Sequence, residues 1–108
     1  MTINSEFKDR LVAKDPLLGT FIKTPNPIIV KIMANAGFDF LVLDAEHAPF
    51  DRTTIDMMLI AGRTEKCPII VRVPNSTPGW MLNVLDAGAA GLMVPHVETH
   101  MQARLLAQ

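Results

Sequence analysis

A single cysteine, Cys67, excludes an internal disulfide and fits a reducing compartment. Charge of one sign is also missing. Ten Lys and Arg stand against eleven Asp and Glu, a formal net charge of -1, and no basic patch forms. That argues against nucleic acid as a partner. No run approaches the ~18 apolar residues of a membrane span, so no membrane is expected as a partner. The opening residues, Met1-Thr2-Ile3-Asn4-Ser5-Glu6, lack the basic and apolar regions of a signal peptide. These absences together lead us to expect a cytoplasmic protein. A glycine-rich phosphate loop is absent too, because Gly88-Ala89-Ala90-Gly91 precedes a strand rather than a helix. There is no low-complexity segment and no internal linker. What remains is a globular chain, 49% hydrophobic over 108 residues, long enough for one small domain with a core.

Pattern and punctuation divide the chain into alternating elements. Ser5 to Lys14 reads as a helix with Phe7, Leu11 and Val12 as its apolar stripe, ended by Asp15-Pro16. Leu17 to Ile22 reads as a strand, in which Gly19 marks a close backbone approach. Thr24-Pro25-Asn26-Pro27 turns into a helix over 28–36 with Ile29, Ile32, Met33 and Ala36 inward and Gly37 at its end. Phe40 to Leu43 is a second strand. Asp51 or Thr53 caps a helix to about Glu65, with Ile55, Met58, Leu59 and Gly62 on its apolar face. Pro68 to Val73 is a third strand. Asn75-Ser76-Thr77-Pro78 starts a helix that Trp80, Leu82, Val84 and Leu85 carry to Gly88. Gly91 to Val94 is a fourth strand, and Glu98 or Thr99 opens a last helix to Gln108. The methionines, Met57, Met58, Met81 and Met93 among them, read as core filler. Strands that alternate with helices imply a parallel sheet with right-handed crossovers.

The polar singularities fall at the carboxyl ends of these strands, the usual location of α/β active sites. After Phe40-Leu41-Val42-Leu43, Asp44, Glu46 and His47 arrive with no polar run to introduce them. Alternation puts Phe40, Val42 and Asp44 on one face, so Asp44 is expected at the rim of an apolar face. His47, three residues on, is placed to fold back toward it. A carboxylate on one ring nitrogen fixes the tautomer and leaves the other as a base. The same pair also suits a structural cap on the following turn. Arg72, inside Ile69-Ile70-Val71-Arg72-Val73, needs an anion: a substrate carboxylate, or Asp44 in an ion pair that ties two strands together. His96 and His100 read as exposed loop residues, and Cys67 as a thiol with nothing beside it to activate it.

Taken together, these residues resemble the HpcH/HpaI aldolase family, the metal-dependent pyruvate aldolases of (β/α)8 TIM-barrel fold. The match runs through Ala36-Gly37-Phe38-Asp39-Phe40, Asp44-Ala45-Glu46-His47-Ala48-Pro49, Val71-Arg72-Val73-Pro74, Leu85-Asp86-Ala87-Gly88-Ala89, Gly91 and Val94-Pro95. It covers nearly the whole chain from Gly19 onward. The resemblance implies a carbon–carbon lyase that makes or breaks a 2-oxo acid from pyruvate and an aldehyde. A divalent metal, Mg, Mn or Co, would stabilise the pyruvate enolate. The resemblance makes His47 the acid/base group, oriented by Asp44. It makes Arg72 the residue that binds pyruvate and stabilises the oxyanion. It puts Phe21 near the pocket, and Glu46 either near the metal-bound water or in loop salt bridges. It also implies a homo-oligomer, a hexamer in the family.

A full barrel of this kind takes about 250 residues. The resemblance therefore reads 1–108 as the N-terminal half of a single domain, a leading helix and the first four βα units. It places the metal ligands, a Glu and an Asp, beyond Gln108 and none within the chain; Glu98 matches neither. The 108 residues alone are expected to lack aldolase activity. Two other readings stand beside this one. The first is a non-catalytic half-barrel that buries its open edges by self-association. The second is an open flavodoxin-like sheet with a ligand at its switch point.

Overall fold

The computed structural model describes residues 2–75 and 78–94. The leading helix, α1 (Ile3–Val12), begins earlier than the sequence pattern suggests. Thr2 and Ser5 form a reciprocal capping box, with the Thr2 hydroxyl accepting from the Ser5 N–H and the Ser5 hydroxyl accepting from the Thr2 N–H. Its expected apolar stripe does not form. Phe7 is buried, but Leu11 and Val12 are exposed. The reason is that α1 does not lie along the core. It crosses the amino ends of the strands, where the Phe7 ring sits 5.3 Å from that of Phe40 and Asn4 Nδ2 donates to the Gly88 carbonyl.

Four βα repeats follow in chain order: β1 (Gly19–Ile22), α2 (Pro27–Asn35), β2 (Phe40–Asp44), α3 (Arg52–Thr64), β3 (Ile69–Arg72), α4 (Pro78–Asp86) and β4 (Gly91–Met93). The helix expected after β4 and the residues Ser76 and Thr77 lie outside the described residues. Side-chain caps start the helices where the sequence provides them. Asn26 accepts from the Ile28 N–H beside Pro27, and Asp51 accepts from the Thr54 N–H at 2.7 Å. Gly37 leaves α2 at φ +104°, a conformation that side chains with a Cβ rarely adopt.

The strands pair in parallel in the order β1-β2-β3-β4. This strictly sequential order has no switch point, which a flavodoxin-like sheet requires. Right-handed crossovers then put successive helices on one face. That face carries Ile22, Leu41, Leu43, Ile69 and Val71, which pack with Val30, Ile55, Met58, Leu59 and Val84 into one core. The other face is a series of cross-strand layers. Phe21, Val42, Ile70 and Gly91 form one, and Asp44, Arg72 and Met93 form the next toward the carboxyl edge. No described helix covers that face, and Phe21 remains 48% exposed.

Three expectations about burial fail, the one for α2 for a reason visible in its sequence. In α2, Val30 is fully buried and Ile32 is exposed. In α4, Val84 is buried while Leu82 and Leu85 are exposed. Met57 and Met93 are exposed, although Met58 is core. Pro27-Ile28-Ile29-Val30-Lys31-Ile32-Met33 is apolar nearly all round, so periodicity cannot choose which side faces the sheet. Gly19 does what its strand position suggests: a Cβ there would lie 2.4–2.6 Å from the Phe40 ring.

Candidate functional site at the carboxyl edge

The last layer of the open face holds the charged residues. Asp44 pairs in register with Arg72, and Arg72 with Met93. Asp44 lies at the rim that alternation implies, and there it is a buried charged residue, at 0% exposure. The loop that follows folds over it and buries Ala45 and Phe50. Enclosure on this scale requires partners. Oδ1 accepts from the Glu46 N–H at 3.2 Å, the His47 N–H at 3.0 Å and Arg72 Nε at 3.1 Å. Oδ2 accepts from Arg72 Nη2 at 2.8 Å. The arginine fork is therefore bidentate. Burial by itself would raise the Asp44 carboxyl. The Arg72 and His47 N–H hydrogen bonds and the charges beside them outweigh it and hold the group below the ordinary carboxylate range.

The two backbone N–H bonds bend the chain back at Glu46 and His47, in the manner of an Asx turn. His47 consequently presents an imidazole that is 56% exposed, with Nδ1 3.4 Å from Asp44 Oδ2. Its Nε2 lies 3.4 Å from Glu46 Oε1, and Glu46 Oε1 lies 4.0 Å from Arg72 Nε. Beneath this group, one layer down, the Phe21 ring lies 4.6 Å from the Arg72 guanidinium carbon. A cation over an aromatic face gains further from this contact and is held flat. Asp44, Glu46, His47, Arg72 and Phe21 thus form one cluster on one face. The two roles that the sequence left open for Arg72 are compatible, because its ion pair with Asp44 still leaves Nη1 outside that pair.

Lys23 was missed. Its Nζ is 4.0 Å from Asp44 Oδ2. The available signal was register: Ile22 pairs with Leu43, so the next residue is level with Asp44. His96, Glu98 and His100 lie outside the described residues. Among the described residues there is no cluster of three or more His, Cys, Asp or Glu able to hold a metal ion. Asp44 is occupied by Arg72 and backbone N–H groups, which leaves too few carboxylate and imidazole donors. A cleft of about 490 Å³ lies at the opposite, amino end, lined by Asn4, Leu59, Arg63, Cys67 and Gly88 among others. It is remote from this chemistry. No described helix is long and apolar enough to cross a membrane.

The model of the HpcH/HpaI aldolase/citrate lyase family matches residues 17–108. The chain belongs to this family. It is 41% identical over 99 residues to the 5-keto-4-deoxy-D-glucarate aldolase of Klebsiella pneumoniae, covering 92% of this chain and 39% of that one. It is 40% identical over 98 residues to the hydroxypyruvate/pyruvate aldolase of Roseovarius nubinhibens, covering 91% of this chain and 38% of that protein. The crystal structure of the HpcH/HpaI aldolase from Desulfitobacterium hafniense superposes with a TM-score of 0.84 at 32% identity, over 90% of this chain and 38% of that chain. This chain therefore spans about two-fifths of the length of these HpcH/HpaI relatives. Its fold is that of the TIM-barrel family, and the sequential β1-β2-β3-β4 sheet is a half-barrel arrangement.

Proposed function

We propose that these residues belong to an aldolase, a carbon–carbon lyase that joins or releases pyruvate and an aldehyde through a 2-oxo acid. The observation that carries the reading is the enclosed Asp44–Arg72 pair with an exposed imidazole turned back onto it. In this reading residues 1–108 are the N-terminal part of one barrel domain of a cytoplasmic homo-oligomer. The aldolase names of the HpcH/HpaI relatives support the reaction class. The reading also includes a divalent ion, Mg, Mn or Co, held by a Glu and an Asp beyond residue 108. The described residues do not make a ligand set for it, and no step below passes through it.

Arg72 binds the pyruvate unit. Asp44 and the Phe21 ring fix its guanidinium plane, so its charge is aimed before substrate arrives and favours an oxyanion as it develops. His47 moves the proton. Nδ1 faces Asp44, which selects a tautomer and steadies the imidazolium, and Nε2, beside Glu46, is the nitrogen that exchanges a proton with substrate. Glu46, close to Nε2, supports the same ring. Phe21 supplies an apolar floor under the reacting carbons.

The test is proton exchange at the pyruvate methyl group in D2O, measured by NMR on the full-length protein with Mn. His47→Ala is expected to slow exchange by about 100-fold or more, with the circular dichroism spectrum unchanged. Exchange at the wild-type rate in that variant would remove the acid/base assignment.

A further inference from the structure

The amino-end cleft of about 490 Å³ lies at the opposite end of β3 from Arg72 and has no role in the account above. Its volume falls in the range of cavities that hold small organic ligands, about 300–1,000 Å³. Each wall comes from a different element. α3 brings Leu59 and Arg63, four residues apart and so on one side of the helix. The chain then turns at Lys66, φ +56°, and lays Cys67 and Ile69 along the floor. Ile3 and Asn4, in the first turn of α1, close the other side. Leu59, Cys67 and Ile69 are all buried, so the floor is apolar.

The polar groups converge at one end, on the reversal after α4. Arg63 Nη2 donates to the Ala87 carbonyl and Asn4 Nδ2 to the Gly88 carbonyl, both at 3.2 Å. These bonds hold α1 and α3 against the end of α4, and they fix the guanidinium in place. It lies so close over Gly88 that a Cβ there would stand 3.0 Å from Nη2 and 3.7 Å from Cζ. Its charge is unmatched. Arg10 and Arg72 each hold an aspartate, at 3.2 and 2.8 Å. Arg63 has no carboxylate at ion-pairing distance among the described residues. One N–H of its fork reaches a carbonyl, and donors remain for an outside acceptor. An apolar floor that ends on one oriented, unmatched cation is complementary to an amphiphilic anion. A neutral guest would leave the guanidinium unanswered, and a small anion would leave the floor wet.

We propose that this cleft is a second ligand site, which takes a monocarboxylate with an apolar body. The carboxylate sits on the Arg63 fork and the body on Leu59, Cys67 and Ile69. Binding involves no proton or bond change, and it does not depend on the aldolase reading.

Three probes separate head from body: octanoate, hexanoate, which is two methylenes shorter, and octanamide, which keeps the body and lacks the charge. Calorimetric titration of the full-length protein is expected to find one octanoate per chain, undisturbed by saturating pyruvate. Hexanoate should bind about tenfold more weakly, from the two methylenes no longer buried. Octanamide should bind about tenfold more weakly than octanoate, from the lost ion pair. Arg63→Gln should bring octanoate to within about twofold of octanamide, with octanamide itself unchanged, and Arg63→Lys should keep most of the preference. Absence of octanoate binding at millimolar concentration, equal affinity for octanoate and octanamide in the wild type, or an unchanged preference in Arg63→Gln would overturn the proposal. Equal weakening of both probes in Arg63→Gln would do so as well, since it would show a collapsed cleft rather than a lost charge. Displacement of octanoate by pyruvate would overturn it by placing the anion at the carboxyl edge.

Discussion

Two aspartates bracket the apolar run of β2, one at each end; each holds an arginine, Asp39 with one backbone N–H and Asp44 with two. Asp39, at the amino edge, accepts from the Leu18 N–H at 2.9 Å and from Arg10 Nη1 at 3.2 Å. The Leu18 bond chiefly lowers its pKa, burial opposes it, and Arg10 adds to the lowering. Asp44, at the carboxyl edge, accepts a bidentate fork and two backbone N–H groups while fully enclosed. The chemistry is similar and the consequences differ. At the amino edge the pair ties α1 to the start of β2, next to an apolar plug of Phe7, Phe40 and Gly19. At the carboxyl edge the same kind of pair anchors a loop that presents an imidazole to solvent. Burial, loop and neighbours decide whether an Asp–Arg pair acts as a strap or as the footing of a site.

The sharpest way to break this comparison is to remove each carboxylate. Asp44→Ala leaves Arg72 without its partner in a mostly enclosed position, and is expected to lower stability by about 3 kcal/mol in urea titrations. Asp39→Ala should lower it by clearly less, because its pair is screened by water. Equal losses would mean that enclosure does not separate the two ends. A second contrast sits in the packing of the amino plug. Gly19→Val drives a side chain into the Phe40 ring and should lower stability by about 1–3 kcal/mol, read as a fall in Tm, without abolishing substrate binding at the far edge.

Acid sharpens the comparison further. Both aspartates are lowered in the folded state, so each contributes stability that is present above the unfolded value, about 4. Each contribution is lost as pH falls through the lower folded value. The wild type should therefore lose stability below about pH 4, and Asp44→Asn should flatten that part of the profile, measured by urea titration from pH 7 down to pH 2.5. The smallest effect concerns Cys67, buried near the amino edge. Burial, and then the Asp39 charge, push its thiol up. Modification by Ellman's reagent at pH 8 should be at least about tenfold slower in the folded protein than in urea. Equal rates would place Cys67 in the open.

Much of this arrangement was legible from residue order. The alternation of strands and helices, the Asn26 and Asp51 caps and the reversal at Gly37 are local matters of hydrogen bonds, proline geometry and allowed φ. The Asp44–His47 cluster was also legible, because charged residues that directly follow a strand of four apolar ones need a reason to be there. The apolar positions of α1, α2 and α4 were not. Leu11, Ile32 and Leu82 fit an inward stripe by spacing, and they face solvent because the helix axes lie where the sheet and crossovers put them. Nor was the role of Asp39, whose grip on Leu18 and Arg10 spans 21 and 29 residues of chain.

By itself, residue order determined the parallel α/β repeat, the edge at which charge collects and the family to which the chain belongs. Those rest on interactions within a few residues and on motifs read directly. Tertiary structure alone decided that Asp44 is fully enclosed at its rim, that Phe21 lies under Arg72, and that Lys23 joins the same layer. Each depends on register between strands more than 20 residues apart, and a shift of one residue would turn every one of these side chains to the opposite face.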